Sequence, residues 1–526
     1  MTKEPFIFQR RWMMCDVARE RVFDRDEFLL LLDTLQRLGF NGLCVYMEGA
    51  FAFSSMPGVI REGVMTADDA KWLCAEAEKR GIEICPITNV VCHMEHFFDQ
   101  ERNRPLMSAE SELQINFLDA RAEAFVLNFV DELCAAFGTR LFAIGGDEAA
   151  LAPDTKLLYA KFLGKICTYL LDRGIQPAIF DDMIWMNPDL TDEIDRRTLL
   201  LDWNYYGHRP ESIAFFTEKG FSDIVVCTCD DSWEGLINYQ RSSGHLKAHP
   251  EIHVNPDDIE AFYADARALN CGGAMMCNWE NTDGRNLWMN WVPLARTSLF
   301  LHGEIEEGER CDEKIEKLLF GRITPYTACT YCFQNEIQRA EEIEFQWFMD
   351  MRTALYYPKH LRDLLTNARK ELPDFQNTFN APLDKIEAAA LDWIPASPFE
   401  EKCRAALAAN AAMVRASCAV VNAGSAYRYY KRAAEIQFTA ETVSRQLVLT
   451  VKNAFLAAAR AVRAYSDSLE AAISGTGHPK NDLAELERTA SLLEACADEF
   501  AQTAKTLARI PMPRFELLID RVLKRA

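Results

Sequence analysis

An α/β chain built as a (β/α)8 TIM barrel, followed by an all-α C-terminal domain, is the architecture the sequence predicts. Three observations predict it. Short apolar runs alternate with helical patterns through the first three hundred residues. Eight such runs can be placed in that span, each followed by a helix or a loop long enough to cross back. Strand signals then stop at about Gly303, and the remainder is rich in Ala, Glu and Arg with apolar residues three and four apart. A doubly wound open sheet is the alternative, but no GxGxxG follows the first run.

The elements follow in order. RWMMCD (11–16) precedes a helix from about Asp26 to Leu38, and GLCVYM (42–47) is the second strand. Thr66 reads as a helix N-cap with Asp68 and Asp69 in the first turn, and that helix stops at Arg80-Gly81. IEICPIT (82–88) is the third strand, followed by a helix around Ala120 to Phe137. LFAIGG (141–146) precedes a helix from about Asp154 to Arg173, closed by Gly174. QPAIFDD (176–182), TLLLDWNYY (198–206) and DIVVCTC (223–229) continue the pattern. Asn255-Pro256 opens a helix to Leu269, and GGAMMCNW (272–279) is the last strand. The boundary between barrel and helical domain is set at 305/306.

Composition bounds the function. The 526 residues carry a formal charge of −22 and are 49% hydrophobic, so a large core is affordable and a phosphate-backbone partner is disfavoured. Nucleic acid is therefore excluded as a partner. The N-terminus lacks the apolar stretch of a signal peptide, no apolar run approaches a membrane span, and there is no N-x-Ser/Thr sequon. With 17 cysteines spread through apolar runs, a reducing, cytoplasmic location is expected. Cys329 and Cys332 form a CxxC, and Cys227 and Cys229 a CxC; neither has a matching second pair, which disfavours zinc.

A barrel carries its active site at the C-terminal ends of its strands. Asp16, Glu48, His93, Asp147, Glu148, Asp181, Asp182, Trp203, Tyr205, Asp230, Asp231, Trp233, Trp279 and Glu280 all fall there, and Arg11 starts the first strand. Carboxylates hold hydroxyls and indole faces pack on pyranose rings, so acids and aromatics at one rim suggest a sugar site. Glycoside hydrolysis usually needs two carboxyls on opposite sides of the bond, which the adjacent Asp147 and Glu148 cannot easily supply. Adjacency suits the substrate-assisted exception. There the sugar's 2-acetamido oxygen is the nucleophile, Glu protonates the leaving oxygen, and Asp orients the acetamido N–H. That requires one carboxyl kept protonated and one kept ionised.

IGGDE resembles the H-x-G-G-D-E signature of family 20 glycoside hydrolases, the β-N-acetylhexosaminidases. RWMMCDVAR resembles the family's R-G-x-x-L-D-x-A-R, and GFNGLCVYMEGAFAF with IEICPITNVVCHMEHF resembles the second and third strands of its hexosaminidase D branch. PAIFDDM, LLDWNYY and CNWENTDG resemble the later strands, so the likeness spans roughly residues 8 to 300. The resemblance implies Asp147 and Glu148 as catalytic residues, Arg11 gripping the sugar's hydroxyls, His93 contacting the catalytic Glu, and Trp203 and Trp279 walling the pocket. The sequence departs at Ala143, where the family has His, and at Gly49, leaving Glu48 as the carboxylate expected to partner His93. It departs again at Phe180, in place of a pocket tryptophan, and at Cys92, in place of a glycine.

The expected activity is an exo-acting, retaining β-N-acetylhexosaminidase with no cofactor and no metal. Its expected partner is a small oligosaccharide or glycoconjugate ending in N-acetylhexosamine, with Glu48, Asp182, Tyr205, Trp233 and Glu280 completing the substrate site. The helical half would serve as scaffold or homodimer surface. Two rivals are a non-catalytic sugar-binding or scaffold protein on a degenerate barrel and a metal-dependent barrel hydrolase. Retention of both acids opposes the first. The absence of H-x-H on strand one opposes the second, as does Pro250 interrupting His245, His249 and His253.

Overall fold

A computed structural model of the chain describes residues 8–18, 22–56, 64–98, 100–205, 207–229, 256–279, 290–306, 308–338, 353–366, 375–436, 445–473 and 480–506. Eight parallel strands close into a barrel in sequence order. They are β1 (Arg10–Asp16), β2 (Gly42–Tyr46), β3 (Glu83–Ile87), β4 (Leu141–Ala143), β5 (Gln176–Phe180), β6 (Leu199–Trp203), β7 (Ile224–Cys229) and β8 (Gly273–Asn278). The ring closes where β8 pairs with β1, Met13 opposite Met276.

The interior is a packed core. Trp12 and Met14, Cys44 and Tyr46, Cys85 and Ile87, Leu141 and Ala143, Ala178 and Phe180, Leu199 and Leu201, Val225 and Cys227, and Met275 and Cys277 fill it. The alternate residues, such as Met13, Leu43, Phe142 and Met276, join the larger core between strands and helices. Followed to the end of β1 and past the ends of β2, β3, β4, β5 and β8, the inward alternation reaches Asp16, Glu48, Asn89, Asp147, Asp182 and Trp279 in turn.

Local chemistry fixes the helices. Thr66 caps Ala67–Glu78 in a reciprocal capping box with Asp69. Asp119 caps Ala120–Phe137, which ends at Gly138 in the left-handed conformation. β4 is shorter than its apolar run, because Gly145 (φ +64°) and Gly146 (φ +93°) turn the chain out of the sheet. A side chain at Gly145 would put a Cβ 1.6 Å from Asn89 Oδ1, so glycine is required twice over.

Beyond β8 no strand occurs among the described residues. Helices Trp291–Leu301, Asp312–Phe320 and Tyr326–Cys332 lead to three long ones, Pro398–Ile436, Arg445–Ile473 and Lys480–Thr506. The long helices pack through Tyr427, Tyr430 and Phe455 around Phe500. Phe399 joins them to the barrel side, meeting Trp291 at 5.4 Å between ring centroids and lying under the Arg37 guanidinium. The expectation that no segment approaches a membrane span is corrected here. Residues 398–432 are long and apolar enough, yet most of that apolar stretch is buried within the protein, as in a core helix.

Candidate active site

The turn after β4 brings the central groups together. His93 Nε2 lies 3.1 Å from Glu148 Oε2 and 3.5 Å from Asp147 Oδ2. His93 and Glu148 both have φ of +51°, a left-handed backbone that only specific surroundings sustain in non-glycine residues. The surroundings are visible. Tyr159 OH donates to Gly146 O, Asp182 Oδ2 accepts from the Glu148 N–H at 2.9 Å, and Gln114 and Ala150 exchange two hydrogen bonds.

The two acids occupy different environments. The Asp147 side chain is 12% exposed and that of Glu148 is 55%, so one is sunk in the site and the other stands at its open mouth. Burial alone would depress the His93 pKa, but hydrogen bonding to Asp147 and Glu148 outweighs it and lifts the imidazole to about 11. His93 therefore keeps its proton at neutral pH. Asp182 is raised to about 7, first by burial and then by the neighbouring Asp147 charge.

The aromatic wall comes from β6 and β8. Trp203 and Tyr205 rings lie 4.9 Å apart, Trp279 Nε1 donates to Tyr205 OH at 3.0 Å, and Trp279 meets Tyr46 edge-on at 5.0 Å. A buried polar network fixes this wall from behind. Asp181 Oδ1 accepts the Trp203 N–H at 2.9 Å, while Arg209 Nη2 donates to Asp181 at 2.6 Å and to Asp202 at 2.8 Å.

Several expected residues lie elsewhere. Arg11 is not at the rim. It sits at the N-terminal end of β1, opposite Ala274, where its guanidinium donates to the carbonyls of Gly39 and Phe8. Trp12 and Met14 are the inward residues of β1, so Arg11 points the other way. Glu48 is not the partner of His93. It is fully buried, accepts from Tyr46 OH at 2.6 Å, and faces His96 at 3.7 Å. Asp182, by contrast, does lie at the site, buried and accepting from the Glu148 N–H. Trp233 and Glu280, with Asp230 and Asp231, lie outside the described residues.

Ala143 and Phe180, two departures from the signature, are both packed into the barrel interior. Sequence reasoning missed Asn89, which donates to Tyr46 OH at 3.1 Å, although it continues the inward alternation of Cys85 and Ile87. Tyr159 and Arg209 carried no signal in the chain; tertiary contact alone brings them in. Cys329 and Cys332 are buried in one helix, and burial raises their thiols to about 11 and about 12. Among the described residues, His93, Asp147 and Glu148 form the grouping whose ligand atoms lie close enough to share a cation.

No protein-family model matches the chain, and no curated protein matches it. Solved structures similar to it include a β-N-acetylhexosaminidase from Bacteroides fragilis, at 17% identity and a TM-score of 0.47 over 59% of this chain and 69% of that one. Dispersin B is similar at 16% identity and a TM-score of 0.42, over 56% of this chain and 98% of its own. A Streptomyces plicatus β-hexosaminidase in complex with GlcNAc is similar at 15% identity and a TM-score of 0.46, over 60% and 68%. The chain thus has structural similarity to family 20 β-N-acetylhexosaminidases at low identity.

Proposed function

We propose that this protein is an exo-acting β-N-acetylhexosaminidase that retains configuration by using the substrate's own acetamide as nucleophile. The observation that carries the reading is the joining of Asp147, Glu148 and His93 at the mouth of β4, with Glu148 exposed and Asp147 buried. In this reading the acetamido oxygen attacks the anomeric carbon and forms an oxazolinium ion as the bond to the leaving oxygen breaks. Glu148 delivers the proton to that oxygen. His93, 3.1 Å away, holds the Glu148 side chain in place for that transfer. Asp147, sunk beside them, takes the acetamido N–H and stabilises the positive charge on the ring being formed. Water then opens the oxazolinium with Glu148 as base. Trp203, Tyr205 and Trp279 pack against the sugar. A cytoplasmic location belongs to the same proposal, supported by 17 cysteines scattered through apolar segments.

A panel of nitrophenyl GlcNAc, GalNAc and unacetylated glycosides, with and without a thiazoline inhibitor, tests the proposal. Turnover confined to the acetylated sugars and blocked by thiazoline is expected. Turnover of the unacetylated sugars without thiazoline inhibition would refute it. Glu148→Gln should abolish turnover of poor leaving groups, and Asp147→Asn should cripple every substrate by about 10²-fold or more. A near-wild-type Asp147→Asn would exclude the acetamide as nucleophile. The His93, Asp147 and Glu148 grouping supports a second reading, a metal-dependent hydrolase. Loss of turnover on chelation, restored by a divalent ion, would favour it.

A further inference from the structure

We infer that Asp182 positions the Glu148 acid, its buried carboxyl oxygen gripping the Glu148 backbone N–H and so fixing the turn from which that side chain reaches the scissile bond. The inference rests on the reading of Glu148 as the general acid. Glu148 sits at φ +51°, a conformation an L-residue leaves unless its neighbours hold it there. The hold is a 2.9 Å bond from its N–H to Asp182 Oδ2, made inside the protein where water does not compete for it.

Asp182 is itself well anchored. It continues the inward alternation of Ala178 and Phe180 on β5, is 6% exposed, and opens a short helix in which Met186 N–H returns to its carbonyl at 2.8 Å. Its neighbour Asp181 serves the opposite side, accepting from Trp203 N–H and Arg209. Asp181 thus holds the β6 backbone behind the indole wall, while Asp182, whose carboxyl also meets the Trp203 side chain, holds the turn of β4. At this depth Asp182 acts through Glu148 and is a positioning residue.

The test compares wild type, Asp182→Ala and Asp182→Asn on a phenyl and a dinitrophenyl N-acetylhexosaminide, with exchange of the Glu148 amide hydrogen followed in parallel. Misplacing a general acid slows only the substrate that needs one. Asp182→Ala should lower kcat on the phenyl glycoside by about 10²-fold, with KM within about threefold and the dinitrophenyl rate within about threefold. Its Glu148 amide should exchange about tenfold faster or more. Asp182→Asn keeps a carbonyl oxygen to accept the N–H, so it should recover most of the phenyl activity and much of the protection. It also serves as the folded comparison should the alanine variant be unstable. Equal losses on both leaving groups, or an unchanged Glu148 amide in Asp182→Ala, would overturn the inference. Should wild type turn over neither glycoside, the glycosidase reading fails separately, and the exchange data alone decide whether Asp182 grips the turn.

Discussion

At the scale of single residues, His93 is where charge and position meet. Its imidazole titrates near 11 in the folded protein against an ordinary value of 6.5, because bonding to Asp147 and Glu148 outweighs the cost of burial. The folded state therefore holds a proton that the unfolded state gives up between those values. The stabilising contribution is complete below pH 6.5 and is lost as pH rises towards 11. Replacing His93 by Asn should lower Tm most near pH 6, with the gap to wild type narrowing steadily to pH 10. A gap independent of pH would show that His93 contributes by packing alone. The chain announced this residue, with Asp147, Trp203 and Trp279, because each falls at a strand's C-terminal end. Arg11 was misjudged for a reason also written in the chain. Trp12 and Met14 are the inward pair on β1, so an odd-numbered neighbour must face away. Partners such as Tyr159 were illegible, because a tyrosine inside a helix carries no mark of the carbonyl it will meet.

At the scale of elements, the eight strands could be read because barrel strands are buried on both faces and appear as unbroken apolar runs. At β4 the sheet ends at Ala143, one residue short of the apolar run's end, and Gly145 and Gly146 turn the chain. That early turn is what presents Asp147 and Glu148 together. Gly145→Ala should therefore damage both fold and chemistry. Its Cβ would fall 1.6 Å from Asn89 Oδ1, and its φ of +64° disfavours any L side chain. The backbone conflict alone costs about 1–3 kcal/mol. A lowered denaturant midpoint should accompany a lowered kcat as the turn shifts. Gly138→Ala is the comparison, since its φ of +63° is the same strain with no atom within 4 Å. It should lose stability without loss of kcat; equal loss of activity in both variants would sever the link between this turn and the site.

At the scale of the whole molecule, the change of architecture near residue 305 was legible as a change in periodicity, but whether it divides the chain into two folding units was not. Side-chain packing speaks for coupling. Phe399, at the start of the longest helix, touches Trp291 of the helix that follows β8 and stacks beneath Arg37 of the first helix. It also meets Phe320 at 5.6 Å, and next to it Glu400 pairs with Arg322. Truncating a buried aromatic of this kind costs about 3–5 kcal/mol where the site cannot collapse. If barrel and helices unfold as one cooperative body, Phe399→Ala should lower the thermal midpoint of catalytic activity and the midpoint of helical circular dichroism together. If they are separable, the helical signal should show a new early transition while activity persists to the wild-type temperature. The shared core favours the first outcome, because the contacts at Phe399 fall on barrel helices rather than on a linker. A barrel expressed to residue 305 alone would then expose Trp291 and the surface beneath Phe399, and should aggregate where the full chain stays monodisperse.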